Sequence, residues 1–142
     1  GGNDDFDMFE EMRMALVLNN SIGGETIISP KEVFKIATSE NIKRLTKNQY
    51  TGTLVKGEPA DFIAIDINNE RMQPLFDVVN NLVMSATSNQ VRYVFINGEE
   101  IIGNFNFSII DSEKILHEGL EVIDKLFNKS GFKKKIEDGE FL

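Results

Sequence analysis

Apolar residues recur at helical spacing in two stretches near the start of the chain. The first stretch begins at Asp7, whose carboxylate can cap the first helical turn, and its apolar stripe includes Met12 and Leu16. It ends before the polar and glycine-rich run 19–24, which has the composition of a loop. The second begins at residues 29–32, Ser-Pro-Lys-Glu, which supply an N-cap, a first-turn proline and a capping-box glutamate. The pattern predicts a helix in each stretch.

Two more helices are predicted further along. Residues 78–84 form a short apolar run with helical spacing. Residues 112–128 form a longer amphipathic stretch, and Gly131 is placed to end it. We therefore predict four helices in all.

Two strand pairs are predicted between these helices. Residues 51–56 are rich in β-formers, and a turn separates them from the continuous apolar run 62–65, which we predict to be a strand buried on both faces. Residues 91–96 form the second strong strand. Asn97-Gly98 tolerates positive φ at both positions and predicts a hairpin turn into a partner strand at 100–102.

Composition narrows the choice of partners. The formal net charge is −8, from 23 acidic and 15 basic residues, so a nucleic-acid backbone or an anionic membrane would repel the chain. We therefore expect neither partner. The chain has no cysteine, which excludes disulfides, thiol nucleophiles and cysteine-ligated metals, and fits a cytoplasmic location.

Catalytic chemistry finds little support in the residues present. His117 is the only histidine, and one imidazole cannot build the multi-histidine site typical of catalytic zinc. The serines lack a histidine base and a nucleophile-elbow motif. We predict that this chain contains no catalytic, cofactor-binding or metal-binding residue.

Three weaker patterns leave alternatives open. Asp4, Asp5 and Asp7 cluster near the start, where a helix cap is favoured over a site for a hard cation such as magnesium or calcium. Phe105 and Phe107 are more consistent with core-covering structure than with a base-stacking surface, because no basic residue is near them in sequence. A stripe of methionines favours core packing over an adaptable binding face; it consists of Met8, Met12 and Met14.

Five segments, in order, resemble one family. Together they are similar to the C-terminal part of the methylthioadenosine/S-adenosylhomocysteine deaminases and related chlorohydrolases of the amidohydrolase superfamily. The similarity includes the family's Leu-Asp-Met-Phe-Glu-Glu-Met-Arg run and its "G-x-L-x-x-G-x-x-A-D" signature. The segments are residues 3–13, 29–38, 52–63, 73–77 and 91–98.

The resemblance implies a fold. The family has a (β/α)8 barrel and a small β-sandwich made from both chain ends. The chain would then be an α+β fragment in three parts: a helical remnant of the barrel at 1–48, the C-terminal share of the sandwich at 49–104, and a C-terminal helix and tail at 105–142.

The resemblance also places the family's metal site outside this chain. Histidines on barrel strands hold the metal, together with an aspartate expected just upstream of Gly1, and none of these ligands maps onto this sequence. A divalent metal, zinc or iron, is therefore expected only in the full-length parent. Asn3 and Asp4 would lie beside the site and support it. The sequence departs from the common pattern at Gly2, Asp4 and Phe76.

The resemblance implies a function for the parent. The full-length protein would hydrolyse C–N bonds, deaminating a purine-like or related ring, with the rest of the barrel and a small-molecule substrate as partners and a homo-oligomer as a further possibility. This chain alone would be inactive. The rival hypothesis is an independent, noncatalytic α+β protein-interaction module, which needs a closed core of its own. The apolar stripe of the first helix argues against it, since in the family that helix packs on barrel strands not present here.

Overall fold

A computed structural model describes residues 6–22 and 26–131. The chain divides into two compact units, residues 1–108 and 109–142. The first unit contains helices α1 (Met8–Ser21), α2 (Pro30–Lys35), α3 (Asn41–Leu45) and α4 (Val78–Met84), and strands β1 (Phe62–Ile65), β2 (Val91–Ile96), β3 (Glu99–Gly103) and β4 (Asn106–Phe107). The second unit contains helix α5 (Ser112–Ser130). None of the helices in the described residues is long and apolar enough to cross a membrane.

Helix α1 begins where the sequence predicts and runs slightly further. The Asp7 side chain caps it by accepting a hydrogen bond from the Phe9 N–H. The helix continues to Ser21 rather than ending before residue 19. Asn20 explains the extension, because its side-chain amide both donates to and accepts from the backbone of Ile28, at 3.0 Å in each case. That pairing ties the last turn to the segment beyond the loop.

The second predicted helix is composite. Ser29 and Glu32 form a complete capping box at the start of α2, as the sequence predicts. The helix then widens into a π-helical stretch, Ile36–Glu40, before α3 follows without a break. The Thr38 hydroxyl donates to the Phe34 carbonyl at 2.8 Å within this stretch.

The strands form one antiparallel sheet in the order β1-β2-β3-β4. Asn97 and Gly98 both adopt positive φ in the turn between β2 and β3, as predicted. The rings of Phe62 and Phe95, cross-strand partners in β1 and β2, stack with their centroids 4.7 Å apart. The two-residue β4 was not predicted, because so short a segment has no recognisable alternation.

Two strand predictions are wrong. Residues 51–56 form bends and turns rather than a strand. Gly52 has φ +65°, which interrupts an extended conformation, and the Thr51 N–H donates to the Glu58 carboxylate instead of to a neighbouring strand. Strand β1 is correctly placed but is not buried on both faces, since Phe62 is 37% and Ile63 49% exposed.

The hydrophobic core of the first unit lies among its helices. The residues from α1, α2 and α4 pack with Met72 and Ala86, and Ile65 and Val91 of the sheet contact this cluster. Eight side chains are buried: Phe9, Met12, Leu16, Val33, Met72, Leu82, Val83 and Ala86. The prediction that the α1 stripe would face absent structure is therefore wrong, because this stripe packs inside the unit.

The opposite side of α1 is also apolar. Met14, Val17 and Leu18 lie there, each between 46% and 49% exposed. The three methionines consequently have different environments: Met12 is buried, whereas Met8 and Met14 are exposed. A helix that is apolar on two sides is typical of a position between two layers of protein.

We expect the Gly52→Ala variant to lose about 1–2 kcal/mol of stability, because an L-residue is strained at positive φ. A Cβ at Gly52 would also lie 3.1 Å from both Ser39 Cα and Ile42 Cβ, at the π-helix. Gly57→Ala is the matched control, since Gly57 also has positive φ but a Cβ there meets nothing within 4 Å. Equal losses of unfolding free energy in urea would contradict a steric role for Gly52.

The second unit is described by its single long helix. The Asp111 side chain caps the start of α5 through the Lys114 N–H, and Gly131, with φ +69°, ends it as predicted. The sequence placed the end only two residues too early. Seven large apolar side chains on α5 are exposed: Ile115, Leu116, Leu120, Val122, Ile123, Leu126 and Phe127.

Candidate functional site

The only histidine lies on an exposed helix. His117 is on α5, with its Nε2 3.4 Å from the Glu121 carboxylate one turn later. Within residues 6–22 and 26–131, no group of three or more His, Cys, Asp or Glu side chains is close enough to hold a metal ion. The described residues therefore do not fit a catalytic zinc or iron site.

The Asp7 carboxylate has a structural role at the start of α1. Its Oδ1 accepts from the Phe9 N–H at 2.9 Å, and its Oδ2 accepts from the Ser88 N–H at 2.8 Å. Both oxygens are thus used by backbone donors, which favours the cap over the cation site. Its predicted neighbours Asp4 and Asp5 lie outside the described residues, as do Gly2 and Asn3.

The same contacts set the ionisation of Asp7. Partial burial acts to raise its pKa, but the hydrogen bonds from Ser88 and Phe9 outweigh that effect and lower the pKa below the ordinary 3.8. A carboxyl whose pKa is lower when folded stabilises the native state above its unfolded pKa and loses that contribution as pH falls through the folded value. The expected window is therefore below about pH 4.

We expect the Asp7→Asn variant to flatten part of this acid dependence. Asparagine keeps one acceptor oxygen but has no charge to titrate. The measurement is the urea midpoint of both proteins from pH 6 down to pH 2.5. The difference between wild type and variant should shrink below pH 4; a difference that stays constant with pH would contradict the assignment.

Arg13 makes a second long-range connection, which sequence analysis missed. Its Nε donates to the Met84 carbonyl at 2.9 Å and its Nη2 to the Ala86 carbonyl at 2.7 Å. These carbonyls lie at the C-terminal end of α4, where a positive charge also suits the helix dipole. Since the partners are 71 and 73 residues away, no local pattern could have identified them.

Asp61 explains the end of the "G-x-L-x-x-G-x-x-A-D" motif. Its Oδ1 accepts from the Asn97 N–H at 2.6 Å, and the Ala60 carbonyl accepts from the Gly98 N–H at 3.0 Å. Both contacts hold the β2–β3 hairpin turn against the entry to β1. The residues at the end of this motif thus act on a turn rather than on a substrate.

The aromatic residues near β4 have a basic neighbour after all. The Arg92 guanidinium lies over the Phe105 ring at 5.8 Å, and its Nε donates to the Asn104 side chain. The sequence argument that no basic residue is near was therefore wrong in space. Phe105 and Phe107 are about half exposed, so they do not cover a core.

One open depression lies between the starts of α2 and α4. Its volume is ≈ 400 Å³, and Ser29, Lys31, Asp77 and Asn80 are among its lining residues. The polar groups of Ser29 and Asp77 are already engaged in helix caps. The neighbouring Phe76 is 91% exposed, and nothing in the depression brings an acid, a base and a nucleophile together.

Comparison with known proteins explains a fold that has structure but no reaction centre among its described residues. The amidohydrolase family profile matches residues 1–101. This chain belongs to the amidohydrolase family. The 5-methylthioadenosine/S-adenosylhomocysteine deaminase of Clostridium tetani is 32% identical over 127 residues, which are 89% of this chain but 30% of that deaminase. The 5'-deoxyadenosine deaminase of Methanosarcina acetivorans is 32% identical over 125 residues, or 87% of the chain and 28% of that enzyme.

Solved structures agree on the fold of this amidohydrolase-family chain. An adenosine deaminase from Xanthomonas campestris with bound zinc superimposes with a TM-score of 0.79 at 23% identity, over 85% of this chain and 28% of that one. An atrazine chlorohydrolase from Arthrobacter aurescens, complexed with zinc, gives 0.72 at 19% identity, over 81% and 26%. The chain thus spans less than a third of the relatives and structures that it matches, and its described residues form an α+β fragment with a four-stranded sheet, not a closed barrel.

Proposed function

We propose that this chain is the C-terminal structural portion of an amidohydrolase whose full-length form hydrolyses C–N bonds by deaminating a purine-like ring. One observation carries the proposal: two relatives named as deaminases of adenosine-type compounds are 32% identical to nearly the whole chain, yet the chain spans only 28–30% of their length. The substrate class and the reaction come from those names and apply to the whole protein. The fragment alone is expected to be inactive.

The first helix supports a role as a layer between two parts of a larger enzyme. Its inner stripe, including Met12 and Leu16, already fills the core of the first unit, while Met14 and Leu18 remain apolar and exposed on the other side. Covering such a face with protein is favourable by roughly 25 cal/mol per Å² of apolar area. We propose that the barrel of the full-length protein supplies this cover, with residues 1–48 as its helical remnant.

The sheet supports the second part of the same proposal. Aromatic and aliphatic side chains of β1 and β2 remain partly exposed, and a sheet with an uncovered apolar face favours a second sheet. We propose that residues 49–104 are one share of a β-sandwich completed by strands from elsewhere in the parent, and that 105–142 follow as helix and tail.

A metal belongs to the proposal only through the missing part. The relatives of known structure include two with zinc, whereas the described residues here offer no ligand set. A zinc or iron ion in the parent would supply the hydrolytic chemistry, and this chain would contribute no ligand. We propose a cytoplasmic location for the parent, consistent with the absence of cysteine.

Fragment complementation tests the proposal. The Clostridium tetani deaminase would be shortened by the stretch that matches this chain, then purified together with the 142-residue chain. Deamination of 5-methylthioadenosine should appear in the mixture and in neither piece alone. The shortened deaminase with its own missing piece is the positive control. Restoration by that piece but not by this chain would contradict the proposal.

The independent interaction module is the second candidate, and one observation favours it. The first unit has a core of eight buried side chains without any added protein, which meets the requirement that the module hypothesis set. The same complementation mixture separates the two hypotheses, since a module would fold and remain monomeric without binding the shortened deaminase.

A further inference from the structure

The apolar face of α5 is unusually broad for a helix of its length. At 100° per residue, its seven exposed apolar side chains occupy an arc of roughly 160°, and the charged residues lie on the other side. Leu116 alone is 65% exposed. The profile match ends at residue 101, but an alignment of 127 of the 142 residues must include 16–127, so most of α5 is shared with the Clostridium tetani protein.

We propose that α5 packs against α5 of a second copy in an antiparallel pair, with the two-fold axis level with Glu121. The proposal concerns an interface between copies and does not depend on the reaction of the parent. It makes the contact isologous, so that each residue meets a complementary one on the partner.

The middle of the face fits this antiparallel pairing. Leu116, Gly119, Ile123 and Leu126 lie along the centre of the apolar arc. In an antiparallel pair centred on Glu121, Leu116 faces Leu126 of the second copy, and Gly119 faces Ile123. A Cβ at Gly119 would meet nothing within 4 Å, so open space exists there for the larger side chain. A parallel, in-register pair would instead place glycine opposite glycine and leave a gap.

The charges beside the face favour the same arrangement. Glu118 lies on the flank that also carries Lys125, and antiparallel pairing brings Glu118 of each copy level with Lys125 of the other. The two helix dipoles also oppose one another favourably. Lys114 and Lys129 are the one like-charged pair, near the ends, where solvent screens them most.

The area is sufficient for a specific contact. Seven apolar side chains on each helix, about half exposed, would remove on the order of 1,000 Å² from water across both copies, which approaches the range of stable interfaces. An anionic membrane is a poorer occupant, because the helix carries four acidic and three lysine side chains and so has no basic excess.

Sedimentation of the 142-residue chain at tens of micromolar tests self-association. We expect a dimer, and we expect Ile123→Lys to weaken it at least 100-fold. Asn128→Lys places the same charge on the polar side and should leave the dimer intact. A monomeric wild-type chain would overturn the proposal and assign the face to another part of the longer polypeptide; equal behaviour of the two lysine variants would overturn it as well.

Gly119→Leu separates docking from helix stability. Leucine is a better helix former than glycine by almost 1 kcal/mol, so helix content by circular dichroism should not fall. The dimer should nevertheless weaken at least tenfold, because the new side chain occupies the space for Ile123 of the second copy. An unchanged dissociation constant would overturn the proposed packing.

The absence of cysteine allows the orientation to be tested directly. Ser112→Cys and Ser130→Cys introduce single thiols at the two ends of the face, roughly 27 Å apart along the helix. An antiparallel pair should give the mixed disulfide when the two variants are combined and oxidised, and little of either homodimeric disulfide. Homodimeric disulfides without the mixed product would overturn the antiparallel arrangement.

Discussion

Replacing Met72 by alanine should lower the free energy of unfolding by about 3 kcal/mol. Met72 is fully buried, in the segment that joins β1 to α4, and it packs in the cluster that holds α1, α2 and α4 together. Alanine there would leave a cavity lined by helices that are fixed by their own caps. The loss is expected in urea-induced unfolding, with no change in the slope of the transition.

Met84→Ala is the matched control for this prediction. Met84 lies at the end of α4 and is 41% exposed, so the same substitution should cost less than about 1 kcal/mol. Similar losses at the two positions would show that Met72 is not at the centre of the packing described above.

Replacing Arg13 by methionine should lower the free energy of unfolding by about 2 kcal/mol. Methionine keeps much of the aliphatic stem but removes both donors, leaving the carbonyls of Met84 and Ala86 without their charged partner. Ala86 is itself fully buried, so water cannot readily replace the guanidinium at that carbonyl. The contact between α1 and the end of α4 should loosen, with faster amide exchange in α4 as the local measurement.

Two variants make this second prediction specific. Arg13→Lys keeps the charge but not the two-pronged donor geometry, and we expect an intermediate loss. Arg71→Met removes an exposed arginine and should change stability little. A loss at Arg71 as large as at Arg13 would contradict the role given to the two carbonyl contacts.

Local chemistry was enough to predict most helices. The capping box at Ser29 and Glu32, the Asp7 cap and the Gly131 terminator each act within a few residues, so the sequence states them directly. The Asn97-Gly98 turn is local in the same sense. Elements whose ends depend on neighbours were less accurate: α1 ran on to Ser21 because of a contact to Ile28 across the loop.

Packing was harder to predict than secondary structure. The run 51–56 has strand-forming residues, but the positive φ of Gly52 and its close approach to the helix at Ser39 give it another path. The α1 stripe was assigned to a missing neighbour, whereas it is buried against α2 and α4, and the outer residues Met14 and Leu18 are exposed. Periodicity identifies an apolar face without saying which layer will cover it.

The long-range contacts of the candidate site could not be derived from one sequence. Asp7 is a recognisable cap, but its second oxygen binds the backbone of Ser88, 81 residues away. Arg13 and Asp61 likewise act on distant carbonyl and amide groups. The family resemblance identified the segments that contain these residues, and the coordinates supply the reason for their chemistry.

The metal content of the purified 142-residue chain tests the central claim most directly. The claim is that hydrolysis belongs to a longer polypeptide and that this portion supports it without binding its metal. After dialysis from excess zinc or iron, elemental mass spectrometry should find far less than one ion per folded chain, and the sample should not deaminate 5-methylthioadenosine. One tightly held ion per chain, together with turnover, would contradict it.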